Sequence, residues 1–270
     1  MIKRLFFFPM LSLFFYNTPS FAGILKMEIN TKVSLEGDIL KAGINVKNKG
    51  NEPAYSANIT VIIGEKKLKS DIKKELGVNE TFSAHLKTPL RVKLPGRYPL
   101  IVYVYFYDAN QYRFSALSYN TYFYNEDVNS AVFAKGENIT LGEQGKLKLK
   151  IFNRDEKDKD ITLRLILPGE LSAGEGEKKL PIKGRSKYDT SFSVTNLSAL
   201  EDAKYPVFTI LEYEENGRHF TSITPGKIKI VKKEEENIFK KYGVILAGLG
   251  IILLIIFIFL QLVKQFKEIS

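Results

Sequence analysis

Two segments of this 270-residue chain have closely matching sequences. GRYPLIVYVYFYDANQYRFSALS, from Gly96 to Ser118, corresponds to AKYPVFTILEYEENGRHFTSIT, from Ala203 to Thr224. The match extends backwards, where Asn48 falls on Asn153, and the offset stays between 102 and 107 residues. A near-constant offset of that size indicates two copies of one domain, because solenoid repeats are only about 20–50 residues long.

Each copy carries the pattern of strands. From Lys146 to Ile151, lysine alternates with leucine or isoleucine, which is the period of a sheet with one solvated face. Roughly seven strand-like runs per copy are separated by Gly, Asn, Asp or Pro, a spacing typical of immunoglobulin-like sandwiches. Asn216-Gly217 predicts a tight hairpin turn. The sequence therefore predicts an all-β chain with two tandem immunoglobulin-like sandwiches and one C-terminal transmembrane helix.

The two ends of the chain supply the remaining segments. A basic start, an apolar run and Ser20-Phe21-Ala22 are typical of a cleaved signal peptide. Gly243 to Leu260 carries no charge, and a spanning helix needs about 20 apolar residues. The predicted segments are a signal peptide (1–22), a first domain (23–127), a second domain (128–231), a juxtamembrane stalk (232–241), a transmembrane helix (242–263) and a cytoplasmic tail (264–270).

This organisation predicts a single-pass protein of the bacterial inner membrane, with a periplasmic or extracellular ectodomain and a short cytoplasmic C-terminus. The chain has no Cys, whereas secreted eukaryotic domains often depend on disulfides. Its net charge is +10, which in an exported protein is best explained as a solvated basic surface. No nucleic-acid partner is expected, and a glycan or an anionic envelope polymer is possible.

The residues give little support to an enzyme. The chain has two histidines, His85 and His219, and neither has the spacing of a zinc ligand pair. His219 lies beside a predicted turn and is expected to be exposed. There is no thiol, no GxSxG elbow and no phosphate-binding glycine loop. The sequence predicts no catalytic residue, no cofactor and no metal site.

Tyrosine is concentrated in the first copy, where eight of the fourteen lie between residues 98 and 124. Along one predicted strand the tyrosines alternate with the aliphatic residues that a sandwich core requires. Three uses of this face are open: packing against the second domain, binding a protein, or stacking sugars, which the absence of Trp argues against. The candidate partner-binding face comprises Tyr103, Tyr105, Tyr107, Tyr112, Tyr119 and Tyr122.

VKNKGNEPAYSANITVII, from Val46 to Ile63, together with LGVNETFSAHL and GRYPLIVYV, resembles a CARDB domain. That family is an immunoglobulin-like module of prokaryotic surface proteins, named for a proposed role in cell adhesion. The second copy is similar to related domains that precede C-terminal membrane anchors in bacterial exported proteins. The resemblance implies a fold and a surface location, but no ligand and no catalytic motif.

The function predicted from these features is that of a non-catalytic, membrane-anchored envelope protein that binds or scaffolds another envelope or membrane protein. Two alternatives stay open. One is an adhesin that binds a carbohydrate or an envelope polymer, and the other is an accessory subunit of a membrane complex.

Overall fold

The computed structural model describes residues 24–232 and 247–260, which form seventeen strands and one helix, α1 (residues 247–260). The first eight strands are β1 (Met27–Glu36), β2 (Ile39–Asn48), β3 (Ala54–Ile63), β4 (Lys66–Lys69), β5 (Lys73–Leu76), β6 (Thr81–Pro89), β7 (Gly96–Tyr107) and β8 (Arg113–Tyr124). The others are β9 (Val132–Gly136), β10 (Ile139–Leu141), β11 (Gln144–Asn153), β12 (Lys159–Ile166), β13 (Leu171–Ala173), β14 (Glu177–Ile182), β15 (Lys187–Asn196), β16 (Lys204–Glu215) and β17 (Arg218–Ile230). The all-β prediction for the body of the chain is confirmed.

The first sandwich places the sheet β1-β2-β6 over β3, β7 and β8, with β4 and β5 at the edge. Alternation dictates which side chains are enclosed. Along β2 the buried residues are Leu40, Ala42, Ile44 and Val46, and the residues between them face solvent. From the opposite sheet, Val102 and Val104 of β7 complete the core.

The second sandwich has its own hydrophobic core. The sheet β13-β15-β11-β9 covers β14, β12, β16 and β17, with β10 beside β17. Leu147, Leu149 and Ile151 of β11 are buried here, and the lysines between them are exposed. The alternation predicted for this segment is confirmed. The predicted domain boundaries stay a prediction, although the two cores share no residue.

Both sandwiches carry a tyrosine anchored at the start of the penultimate strand. The Tyr98 hydroxyl donates to the carbonyl of Leu94 at 2.8 Å. The Tyr205 hydroxyl accepts the amide of Leu200 at 3.0 Å. A tyrosine that bonds the backbone a few residues upstream is a recurring feature of immunoglobulin-like sandwiches. It supports the prediction of that sandwich type in both copies.

The last hairpin of the second copy turns where the sequence predicts. Glu215 pairs with Arg218, so Asn216 and Gly217 form a two-residue loop. Their φ angles are +49° and +71°, in the left-handed region that a type I′ turn requires. Asn and Gly reach this region at low cost, so this prediction is confirmed.

The predicted C-terminal transmembrane helix is contradicted. In residues 24–232 and 247–260, no helix has both the length and the apolar character needed to cross a membrane. The predicted single-pass inner-membrane location rested on that helix and is corrected with it. The predicted signal peptide, the stalk after residue 232 and the tail lie outside the described residues.

Candidate functional site at the junction of the two sandwiches

One continuous sheet joins the two sandwiches. β17 lies parallel to β7 and pairs with it at a single point, where His219 is opposite Gly96. Gly96 has a φ of +144°, and a Cβ there would lie 2.0 Å from the carbonyl oxygen of His219. The amide of His219 donates to the carbonyl of Pro95 at 2.9 Å. Glycine is therefore required at position 96, because any side chain would push the two strands apart.

His219 is buried in this junction, which corrects the expectation that it is exposed. Its side chain is 11% exposed, and its ring stacks on Tyr98 with centroids 4.1 Å apart. Nδ1 lies 2.9 Å from the carbonyl oxygen of Arg97, and the Thr221 hydroxyl donates to the same oxygen at 2.7 Å. Pro95, Arg97 and Tyr98, which contact His219, belong to the first copy and lie more than a hundred residues away. The neighbours of His219 in the sequence therefore gave no sign of its burial.

Two tyrosines of the candidate partner-binding face, Tyr119 and Tyr105, lie against the second copy. Tyr119 meets Phe208 of β16 edge-on, with ring centroids 4.7 Å apart. Tyr105 lies beside the loop between β12 and β13. A Cβ atom placed on Gly169 of that loop would lie 3.7 Å from Cε1 of the Tyr105 ring. Arg113 covers the ring of Tyr105 at 4.5 Å. Packing against the second domain, one of the three uses left open above, thus accounts for these two tyrosines.

The buried carboxylate of Glu170 stabilises the contact between the two copies. Glu170, in the loop that ends at β13, is 2% exposed. It accepts hydrogen bonds from the amide and the hydroxyl of Ser115, at 2.7 and 2.6 Å. The amide of Gly169 donates to the Ser115 hydroxyl at 2.7 Å. Because hydrogen bonds to a charged group are stronger than neutral ones, Ser115 and Glu170 form a latch between the copies.

The other predicted site residues lie in different surroundings. Tyr103 stacks on Tyr105 with centroids 5.6 Å apart, and Tyr107 is half-buried opposite Tyr55. Tyr112 is 68% exposed in the β7–β8 turn. Tyr122 is 6% exposed, faces the first core and also lines the junction cleft described next. The six tyrosines therefore do not form one surface, and binding of a partner by any of them stays a prediction.

The junction cleft has a volume of about 770 Å³ and lies between the two sandwiches. It is bounded by residues 63–66 and 88–94 of the first copy. Tyr98 and Tyr122 line it from the first copy, and Glu212, Glu214 and His219 line it from the second. The rings of Tyr98 and Tyr122 stack with centroids 5.6 Å apart, which extends the stack on His219 to three rings.

Charges of both signs surround these rings. Glu212 is bound to Arg164 on one carboxylate oxygen, and its other oxygen lies 3.5 Å from Nε2 of His219. Lys66 and Lys93 reach the cleft from the first copy. Burial and the nearby charge of Glu214 raise the pKa of Tyr98 to about 12. The Tyr98 hydroxyl is therefore neutral at physiological pH, and it offers hydrogen bonding without charge.

Sequence reasoning missed this cleft for a definite reason. Its lining comes from strands and loops of both copies that lie far apart in the sequence, and only the junction brings them together. Tyr98 is part of the repeat in the sequence, but its stacking on His219 depends on a contact with the second copy. Within the described residues, no group of three His, Asp or Glu side chains is placed to hold a metal ion.

Comparisons with known proteins find similar structures but no matching family. No family model matches the chain, and no curated protein matches it. It is similar to the third cohesin of ScaC from Acetivibrio cellulolyticus, solved with the ScaB dockerin, at 10% identity and a TM-score of 0.27, over 37% of this chain and 99% of that one. It is also similar to Escherichia coli alpha-2-macroglobulin at 10% identity and a TM-score of 0.31, over 76% of this chain and 17% of that one.

A third similar structure is Salmonella alpha-2-macroglobulin, at 10% identity and a TM-score of 0.33, over 77% of this chain and 16% of that one. The chain thus spans less than a fifth of each of these two macroglobulins. At such TM-scores the likeness carries no argument about function. The resemblance to CARDB domains stays a prediction, because no family model tests it.

Proposed function

We propose that this chain is a non-catalytic protein-binding or scaffolding module, and that its partner binds in the junction cleft. The observation that carries the proposal is the cleft itself. Its volume is about 770 Å³, and both copies contribute to its lining.

The junction supports the proposal because it holds the two walls of the cleft in place. Gly96 and His219 join the sheets, and Ser115 and Glu170 latch the copies at a second point. A site whose walls are held before binding loses less conformational entropy when a partner arrives.

The lining also suits a protein partner. Tyrosine is enriched in protein interfaces. Tyr98 and Tyr122 are among the residues that line the cleft, and the lining residues Lys93 and Glu214 are exposed. A lining with both signs of charge selects partners through complementary charges, and it contributes more to specificity than to affinity.

Site-specific photocrosslinking tests the proposal. A photoreactive amino acid replaces Lys93 in the cleft and, in a matched control, Lys74 on the edge strand β5; both lysines are exposed. Crosslinking is carried out in cells that produce the chain, and the products are identified by mass spectrometry. We expect one protein to be captured at position 93 and not at position 74.

Two double variants, one in the cleft and a matched control on β5, locate the contact. Lys93→Ala/Glu214→Ala alters the cleft lining, and Lys74→Ala/Glu75→Ala makes the same changes of residue type on β5. Loss of the crosslinked protein from the cleft variant alone supports the proposal. Equal capture at both positions, or equal loss in both variants, would show that the cleft is not the binding site.

A further inference from the structure

We propose that the outer face of the second sandwich binds a linear polysaccharide that carries sulfate or carboxylate groups. This site is separate from the junction cleft and does not depend on the proposed protein partner. We call it the basic face, and it consists of Phe133, Lys135, Lys148, Phe152, Arg154 and Lys187.

Strand pairing brings these residues together on the solvated side of the sheet. Phe133 of β9 is opposite Phe152 of β11, and Phe152 is opposite Lys187 of β15. One row further along, Lys135 is opposite Lys150. Lys148 and Lys146 follow at two-residue steps, about 7 Å apart on an extended strand. The cations therefore lie in rows across a flat surface that a linear polymer could follow.

Two aromatic rings organise the cations. Phe133 and Phe152 stack with centroids 5.2 Å apart. The guanidinium of Arg154 lies 4.6 Å from the Phe133 centroid. The ammonium groups of Lys135 and Lys187 lie 5.5 and 5.7 Å from that of Phe152. Each ring attracts a cation through its quadrupole without cancelling the positive charge.

Carboxylates neutralise little of this charge. Among the described residues, no carboxylate lies within ion-pair distance of Lys135, Lys148, Arg154 or Lys187, since the ion pairs of this region involve other residues. Asp189 lies 3.9 Å from Lys150, and Glu137 also borders the shallow depression of about 470 Å³ on this face. The face thus keeps a positive surplus that an anionic ligand can match.

The corresponding sheet of the first sandwich has a different character. Its outer face also carries lysines, but Lys41 is paired with Glu36 at 2.5 Å, and Lys49 lies 3.9 Å from Glu28. The described aromatic contacts include none on that face. Lys32 and Lys87 of that face are also exposed, and no described carboxylate pairs with them. The two stacked rings that hold cations therefore distinguish the second sandwich from the first.

The contacts that both phenylalanine rings already make favour one class of polyanion over another. Proteins that bind single-stranded nucleic acid stack bases on free aromatic side chains. Here the two rings stack on each other and are covered by cations, so bases find no platform. An anionic polysaccharide needs only charge and hydrogen-bond donors, which the lysines and Arg154 supply. The flat, open face suits an extended chain better than a compact ligand.

Binding of the full chain to heparin, a sulfated polysaccharide, provides the test. Lys135→Gln/Lys148→Gln/Lys187→Gln removes three charges from the basic face. Lys32→Gln/Lys41→Gln/Lys87→Gln removes three from the outer face of β1, β2 and β6. We expect the first variant to weaken heparin binding on the order of 10–100-fold. The second should weaken it less than about threefold, because its lysines are not arranged around an aromatic pair.

Further probes make the outcome decisive. Phe133→Leu/Phe152→Leu keeps every charge and is expected to weaken heparin binding by about 3–10-fold, with folding checked by the melting temperature. Equal losses in the two lysine variants would overturn the site. Failure to bind heparin would overturn the proposal, and tighter binding of single-stranded DNA or polyglutamate than of heparin would overturn the ligand class.

Discussion

The two sandwiches share a buried asparagine. Asn48 ends β2, and its side-chain amide donates to the carbonyls of Glu52 and Leu76 at 2.7 and 3.1 Å. Asn153 ends β11, and its side-chain amide donates to the carbonyl of Lys157 at 2.9 Å. In each, Oδ1 accepts the amide two residues later, at 2.9 and 3.0 Å. The chain reverses direction at this point in both copies, and the asparagine satisfies the buried backbone groups of the turn.

On the next strand along the chain, the copies differ. Ala57 of β3 is fully buried, and with the offset of 102 residues its counterpart is Lys159 of β12. The Lys159 side chain is 2% exposed, and its ammonium bonds Asp155 at 2.7 Å and Glu215 at 2.6 Å. The comparison shows that the fold requires the buried asparagine, whereas it accepts either a methyl group or a buried ion triad at the second position.

The largest effect is expected where the copies differ. Lys159→Ala should destabilise the second sandwich by about 3 kcal/mol, because two partly buried carboxylates lose their counter-charge. Lys159→Met, which fills the space, should cost less. Lys150→Ala is the control, since Lys150 is exposed and should change the stability by no more than about 0.5 kcal/mol. Urea unfolding provides the measurement, and equal costs for Lys159 and Lys150 would show that the triad is not structural.

The shared asparagine should give similar effects in the two copies. Asn48→Ala and Asn153→Ala should each cost about 2 kcal/mol, because buried carbonyls lose their donor. Amide hydrogen exchange of β2 and β11 assigns each loss to its own sandwich. Asn110→Ala, in an exposed turn, is the neutral control. A large loss in one copy with none in the other would mean that the asparagine is structural in only one sandwich.

A smaller effect is expected at the latch between the copies. Ser115→Ala should cost about 1–2 kcal/mol, because buried Glu170 loses a hydroxyl donor. Ser118→Ala, on the opposite face of β8, is the control. The diagnostic result is faster hydrogen exchange at residues 169 and 170 in the Ser115 variant alone. Unchanged hydrogen exchange at these two residues would show that the hydrogen bonds of Ser115 do not stabilise the interface between the copies.

The smallest effect concerns alkaline pH. Burial raises the pKa of Tyr98 to about 12 in the folded chain, above about 10 in an unfolded chain. The stabilisation from its neutral form is therefore complete below about pH 10 and is lost as the pH rises towards 12. Tyr98→Phe should make the fall in stability over this range shallower, whereas Tyr112→Phe in the exposed turn should reproduce the wild-type slope. Identical slopes in both variants would contradict burial of Tyr98.

Local patterns in the sequence predicted the elements of the fold well. The alternation around Leu147 and Leu149 fixed the buried face of β11, and Asn216-Gly217 fixed a hairpin. These signals depend on near neighbours alone. The transmembrane helix predicted from the apolar composition of residues 242–263 was wrong, because among the described residues no helix has both the length and the apolar character to cross a membrane.

Contacts between distant residues could not be predicted in the same way. The burial of His219 and the role of Gly96 depend on two strands more than a hundred residues apart meeting at one point. The sequence carries only a weak signal of the basic face. In two places an aromatic residue is followed two positions later by a cation, namely Phe133 by Lys135 and Phe152 by Arg154. The pairing of β9 with β11 was needed to bring those pairs together.

The most direct test of the account is whether the two sandwiches form one body. The chain has no Cys, so Thr81→Cys on β6 and Ser193→Cys on β15 introduce two unique sites for spin labels, both exposed. The structure predicts a single narrow distance distribution by pulsed electron spin resonance, and Gly96→Ala should broaden it. A broad distribution in the wild-type chain would contradict the fixed junction, and with it the proposed binding cleft.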